Sequence, residues 1–213
     1  MSTQKRQTTK AVYDITVKNK PIYEIMSRLL DVGGALVALI FALPFFIVTV
    51  IAIKIEDGGP IFYTQARLGK NSRVFTIYKI RSMRIDAEKD GGAQWAAEDD
   101  NRITRVGKII RLMRIDEIPQ FYNILIGDMK MIGPRPERPE LAEEFYRKLP
   151  EFANRLAVKP GLTGLAQVSG GYDLTPAEKL VLDVEYIENR GLLMDLKIML
   201  KTVKVVLTGE GAR

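Results

Sequence analysis

The stretch VGGALVALIFALPFFIVTVIAI, Val32 to Ile53, runs 22 residues without a charge and carries Pro44 near its middle. Eighteen or more such residues predict a membrane helix. At about 1.5 Å per residue it is roughly 33 Å long, enough to cross a bilayer. Pro44 lacks a backbone donor and crowds the preceding turn, which disfavours a straight rod. Basic residues flank it on both sides, Lys10, Lys18, Lys20 and Arg28 before and Lys54, Arg67, Lys70 and Arg73 after. A single crossing normally concentrates Lys and Arg on its cytoplasmic side. Symmetric flanks leave two courses open, a re-entrant helix bent at Pro44 and a kinked span. A buried core helix is the weaker reading, because such helices are usually shorter and include polar residues.

Outward from this segment, the 213 residues divide into three expected parts. Residues 1–20 form a polar tail, 21–56 a membrane-embedded helix, and 57–213 a catalytic domain large enough for its own core. The stretch lies far from the start and lacks a small-residue cleavage site, so it does not read as a cleavable signal peptide. A net charge of +6 points to an anionic partner, whether headgroups, a phosphorylated ligand or nucleic acid. The chain has no cysteine and no histidine. Disulfides, thiolate or imidazole metal sites, and Ser-His-Asp or Cys-His catalysis are therefore excluded. Any enzyme chemistry falls to carboxylates, with Lys, Arg or a hard metal as electrostatic partners.

Pattern reading gives an α+β fold that is mostly helical. Ile61–Leu68 and Val74–Ser82 flank Gly69-Lys70-Asn71-Ser72 and predict a β-hairpin. Residues 87–101, with Trp95, read as an acidic, Gly-rich loop. Thr104 caps a predicted helix from Arg105 to Arg114, and Asp116 opens a second with Ile118, Phe121, Tyr122 and Leu125 inward. Gly127–Pro139 and Lys159–Gly171 read as loops around a short helix over Glu140–Leu149. Thr175 caps a helix to about Asn189, ended by Gly191. Leu192–Leu207 carries Lys197, Lys201 and Lys204 on one face and suits an interfacial or a core helix equally.

Three words carry candidate chemistry. Asp116-Glu117 follows Arg111 and Arg114 and precedes Pro119. As plain structure, the pair caps a helix and sits in its first turn, where the dipole favours acids. The same position keeps a carboxylate ionised, and an ionised carboxylate beside Arg and a divalent metal can attack phosphorus. Lys79 and Arg81 fall on one face of a strand end, either a solvated basic edge or a phosphate contact. Gly133-Pro134-Arg135-Pro136 is a stiff turn that presents Arg135.

Taken in order, the sequence words resemble those of the bacterial sugar transferase family, the membrane-embedded polyprenyl-phosphate phosphoglycosyl transferases. The resemblance covers about Lys20 to Leu207. It rests on the proline-centred segment, Tyr-Thr-Gln-Ala-Arg-Leu-Gly (63–69), Tyr-Lys-Ile-Arg-Ser-Met (78–83) and Arg-Leu-Met-Arg-Ile-Asp-Glu-Ile-Pro-Gln (111–120). Three more words complete it, Asn-Ile-Leu-Ile-Gly-Asp-Met (123–129), Ile-Gly-Pro-Arg-Pro (132–136) and Lys-Pro-Gly-Leu-Thr-Gly-Leu-Ala-Gln-Val (159–168). The resemblance implies transfer of a phosphosugar from a UDP-sugar to undecaprenyl phosphate with release of UMP. By the same resemblance Asp116 is the nucleophile that forms a covalent phosphosugar enzyme. Glu117, with Asp116, holds Mg²⁺ or supports the second step. Arg111 is the phosphate-binding arginine, and Arg135, Lys79 and Arg81 are further anion contacts. The implied setting is the cytosolic face of the bacterial inner membrane, with a re-entrant helix bent at Pro44 and interfacial amphipathic helices. A homo-oligomer and downstream glycosyltransferases stay open as protein partners.

Three departures stand out. Leu43 precedes Pro44 where relatives often carry Ser, so the bend rests on the proline. Val-Ser-Gly-Gly-Tyr (168–172) lacks the Arg that often follows, and Ile80 replaces a Phe. The competing class is a non-catalytic membrane scaffold that docks other glycan enzymes, although a scaffold has no need of Asp116, Glu117 and Arg111 together. No zinc-finger pattern or aromatic-basic RNA motif supports nucleic-acid binding.

Overall fold

The computed structural model describes residues 15–87 and 100–208. Most of the tail and Trp95 lie outside the described residues. The long apolar segment is one helix, α1 (Pro21–Glu56), about 54 Å long at 1.5 Å per residue, with Pro44 inside it. Its middle is exposed along Leu36, Val37, Ile40, Phe41, Phe45 and Val48. Both ends return to the same domain. Near its start, Tyr23 Oη donates to Asp195 at 2.9 Å, and Asp31 Oδ1 accepts from the Met131 amide at 2.9 Å. Arg28 donates to the carbonyls of Ile124 and Leu125 at 2.5 and 2.7 Å, placing a cation at a helix C-terminus. At the far end Ile53 packs with Ile80 and Ile110, and Glu56 accepts from the Arg105 and Val106 amides.

The predicted hairpin forms from β1 (Phe62–Leu68) and β2 (Val74–Ile80), antiparallel, with Phe62 opposite Ile80 and Leu68 opposite Val74. Asn71 and Ser72 take positive φ in the connecting turn, a conformation asparagine tolerates better than most residues. Thr104 accepts from the Gly107 amide and starts α2 (Arg105–Leu112). This helix ends two residues earlier than expected. The following α3 (Gln120–Ile126) begins after Pro119, not at Asp116. Ile124 is its fully buried residue, whereas Tyr122, expected inward, is half exposed.

The two stretches read as loops hide short elements. β3 (Lys130–Ile132) pairs in parallel with β4 (Gly161–Thr163), and α5 (Leu165–Ser169) follows β4. Glycine is required here for close backbone approach. A Cβ on Gly161 would lie 2.1 Å from the Gly133 amide nitrogen. Between these strands lie α4 (Pro139–Lys148) and a 3₁₀ helix over Pro150–Ala157. Thr175 and Glu178 form the capping box of α6 (Pro176–Asn189), and α7 (Leu192–Thr208) closes the described chain. Core clusters gather Tyr186, Ile187 and Ile198 against Ile132, and Ala35, Ile77 and Ile124 against Met129. Ile198 is the buried residue of α7, and Leu193, Leu196, Leu200 and Leu207 are exposed. Ile109 and Leu112 of α2, and Met113 just after it, are exposed apolar residues as well.

Candidate active site

Asp116 and Glu117 sit in a 3₁₀ turn, Ile115–Glu117, between α2 and α3. Arg114 reverses the chain into that turn with φ 57°, a left-handed conformation uncommon outside glycine. Ile110 buries one flanking helix and Ile124 the other. Asn123, fully buried, ties α3 to the hairpin. Its amide donates to the Thr76 carbonyl at 2.7 Å and its oxygen accepts from the Tyr78 amide at 3.2 Å. The residue after that contact is Lys79. The anchor thus sets the strand that supplies the lysine against the turn that supplies the two acids.

Lys79 Nζ lies 3.3 Å from Asp116 Oδ2 and 3.3 Å from Glu117 Oε1, and Arg135 Nη2 lies 2.7 Å from the same Glu117 oxygen. Both acids are nearly buried, and their environments drive them apart. Burial pushes Asp116 up; the Lys79 charge opposes this and the Glu117 charge reinforces it. Burial also acts to raise Glu117, but Arg135, Lys79 and Arg114 outweigh it and hold the carboxyl well below the usual range. Glu117 is therefore the fixed anion, and Asp116 is the group whose charge responds to its surroundings. Asp116 does not start a helix, so its countercharge comes from side chains rather than a helix dipole.

A basic cavity of about 420 Å³ opens over the pair. Eight arginines and two lysines line it against three acids, Asp116, Glu117 and Glu137, so it favours an anionic ligand. Lys79, Arg81, Arg111 and Arg135, the expected anion contacts, all line this cavity. Arg81 differs from the others in its partners. Its guanidinium grips Asp57 through two contacts of 2.6 Å and the Pro60 carbonyl at 2.6 Å, tying the end of α1 to β2. Pro44 lies in α1, outside the cavity lining. A second, mostly apolar cavity of about 310 Å³ lies on the other side of Glu117 and shares Arg114, Glu117, Arg135, Glu137 and Lys179 with the first.

Arg155 and Asp183 were not singled out from the sequence, yet both are buried and paired at 2.5 Å behind the site. Arg155 Nη2 also donates to the Arg135 carbonyl at 2.9 Å. Asn123 was noted only as part of a motif.

Two acids thus stand clamped between cations beside a basic cavity, in a chain with one long, exposed apolar helix. The chain belongs to the bacterial sugar transferase family, which it matches over residues 22–209. It is 44% identical over 196 residues to the UDP-N-acetylgalactosamine-undecaprenyl-phosphate N-acetylgalactosaminephosphotransferase of Aeromonas hydrophila, covering 91% of this chain and 46% of the relative. It is 40% identical over 195 residues to the UDP-glucose:undecaprenyl-phosphate glucose-1-phosphate transferase of Caulobacter vibrioides, covering 89% and 72%. The exopolysaccharide production protein PSS of Rhizobium leguminosarum is 37% identical over 196 residues, covering 88% and 98%. The chain spans about half the length of the Aeromonas relative and of the galactosyl transferase CpsE of Streptococcus agalactiae.

Proposed function

We propose that this chain is a phosphoglycosyl transferase that moves a phosphosugar from a UDP-sugar to undecaprenyl phosphate and so initiates exopolysaccharide or related glycan synthesis. The observation that carries the reading is the Asp116-Glu117 pair, clamped by Lys79 and Arg135 under a basic cavity. The names of its relatives supply the donor and acceptor classes.

The chemistry follows from the two acids. The Asp116 carboxylate attacks the phosphorus that bears the sugar, the bond to the UMP oxygen breaks, and UMP leaves with the electron pair. An oxygen of the lipid phosphate then attacks the same phosphorus and the Asp116–phosphorus bond breaks. This forms a lipid diphosphate sugar and restores the carboxylate. Arg135 and Lys79 neutralise charge as the anionic substrates approach, and Arg111 holds the donor's phosphates. Among the described residues no cluster of three or more acids occurs that could hold a metal by itself. Two carboxylates plus substrate phosphates are nevertheless the usual donor set for Mg²⁺, and a cation already stands 3.3 Å from each acid. The residues fit such an ion, with Asp116 and Glu117 as its protein ligands. When bound, Mg²⁺ supplies countercharge on the transferring phosphoryl group.

The re-entrant course of α1 belongs to the same reading. Its support is that Tyr23, Arg28 and Asp31 near one end and Ile53 and Glu56 near the other contact one domain. A helix that crossed once would carry its two ends to opposite faces. The domain then rests on the cytosolic face of the inner membrane, where a water-soluble donor and a lipid phosphate can meet.

The test is intact-protein mass spectrometry after incubation with Mg²⁺ and a panel of UDP-sugars, without lipid. The expected result is an adduct of one phosphosugar, with UMP release, that is absent in Asp116→Asn. No adduct and no UMP with any donor would sink the reading and favour a scaffold. An adduct retained in Asp116→Asn would reassign the nucleophile.

A further inference from the structure

The apolar cavity beside Glu117 is not used by the donor chemistry proposed above. Its lining is aliphatic over most of its extent, from Phe121 and Met131 through Leu162 and Val168 to Met199 and Val206. At about 310 Å³ it lies at the small end of volumes that hold organic ligands. Its walls come from α3, the β3–β4 pair, α5 and α7. On α7 the lining residues Met199, Thr202 and Val206 repeat at i, i+3 and i+7, one face of the helix. A face with that spacing normally packs into a core. Here it borders open space, while Leu200, Val203 and Leu207 are exposed. The first turn of α7 is tied to α1, because Asp195 accepts from Tyr23 at 2.9 Å.

The other end of the cavity is cationic. Arg114, Arg135 and Lys179 line both cavities and stand with Glu117 and Glu137 where the two meet. The two cavities therefore meet at the dyad, with apolar walls on one side of Glu117 and positive charge on the other. That sequence of environments complements an amphiphile with a hydrocarbon chain and an anionic phosphate head. A nucleoside diphosphate is complementary only to the basic cavity.

We infer that the cavity between α3, α5 and α7 seats the phosphate-proximal isoprene units of the polyprenyl phosphate acceptor, with the lipid phosphate directed to Arg114, Arg135 and Lys179. The inference rests on the acceptor class proposed above. It gives donor and acceptor separate entrances to one pair of acids. The donor enters over Asp116 from the basic side, and the acceptor reaches the phosphosugar enzyme past Glu117. Burying isoprene units against aliphatic walls favours the lipid by about 25 cal/mol per Å² of apolar surface removed from water. The walls then discriminate a branched chain from water without contributing to donor binding.

The experiment is photo-crosslinking of the full chain in phospholipid nanodiscs with a diazirine-bearing polyprenyl phosphate, mapped by peptide mass spectrometry. Crosslinks are expected in the segments that contain Leu162–Val168 and Met199–Val206. Undecaprenyl phosphate should compete for them, and phosphatidylglycerol at the same concentration should not. Ala166→Phe fills the cavity and Val206→Trp blocks its mouth. Each should lower that crosslinking at least fivefold and raise the KM for undecaprenyl phosphate about tenfold, with the KM for the UDP-sugar held within twofold. The two variants sit on different elements, so misfolding of one leaves the other to decide. Crosslinks confined to α1, or equal competition by phosphatidylglycerol, would overturn the assignment. If wild type releases no UMP from any donor yet the labelling pattern holds, the proposed reaction fails and the lipid cavity stands.

Discussion

Arg155 Nη2 donates to the backbone carbonyl of Arg135 at 2.9 Å, while its Nε is held by Asp183 at 2.5 Å. The guanidinium thus fixes the backbone of the loop whose own side chain clamps Glu117. Arg155→Lys keeps a charge for Asp183 but loses the planar fork that reaches both partners. The variant is expected to fold, to lose about tenfold in UMP release, and to show the loss mainly as a raised donor KM. Asp183→Asn leaves buried Arg155 with only the longer contact to Glu137, 3.4 Å, and should cost about 3 kcal/mol of stability, read by denaturant unfolding in detergent. An unchanged donor KM in a folded Arg155→Lys protein would reduce Arg155 to a packing residue.

Lys79 makes the reaction's acid limb predictable. Burial raises Asp116 above the ordinary aspartate value of 3.8, so the nucleophile protonates at a higher pH than an exposed aspartate. The ionised form attacks phosphorus, and adduct formation should fall as pH drops through that raised value. Lys79 opposes the rise. Lys79→Gln removes this opposition, leaving burial and the Glu117 charge, and should move the acid limb to higher pH. The measurement is the initial rate of phosphosugar adduct formation against pH for both proteins. A limb that stays in place, or moves to lower pH, would show that Lys79 does not set the charge on Asp116.

The course of α1 can be read chemically because the chain contains no cysteine. Lys18 precedes the helix and Lys70 follows it, and both are exposed. A re-entrant helix puts Lys18→Cys and Lys70→Cys on one side of the membrane. In inverted inner-membrane vesicles both should react with an impermeant maleimide, and in intact spheroplasts neither should. One labelled position in each preparation would establish a crossing.

What was legible in the sequence is what local pattern encodes. The uncharged run of α1, the alternation on either side of Gly69–Ser72, and the hydroxyl caps at Thr104 and Thr175 each act within a few residues. The dyad and its cations were legible through ordered motifs. The β3–β4 pair was not. Three-residue strands are too short for periodicity, and their glycines read as turns when they in fact permit close backbone approach. Asn123 bonds to residues 45 and 47 positions away, and Arg155 pairs with Asp183 across 28. Partners at such separations leave no local signal. The sequence also promised Asp116 a helix dipole, but Arg114 in a left-handed turn diverts the chain before α3 starts.

Asp57 and Arg81 join the end of α1 to the strand that carries Lys79, and this junction should show in the pH dependence of stability. The Arg81 guanidinium, the largest influence on Asp57, lowers its carboxyl from 3.8 to about 2. A group depressed in the folded state contributes stability that is fully present above its unfolded value and is lost as pH falls through the folded one. The contribution should therefore be constant from pH 7 to about 4.5 and disappear between about 4 and 2. Asp57 is largely solvent-facing, so screening keeps it small, about 1 kcal/mol for a two-point contact with Arg. Asp57→Asn is expected to melt a few degrees below wild type at pH 7, with the gap closing as pH approaches 2. A gap that persists undiminished at pH 2 would mean that Asp57 acts through the two-oxygen hydrogen-bond geometry it offers Arg81 rather than through its charge.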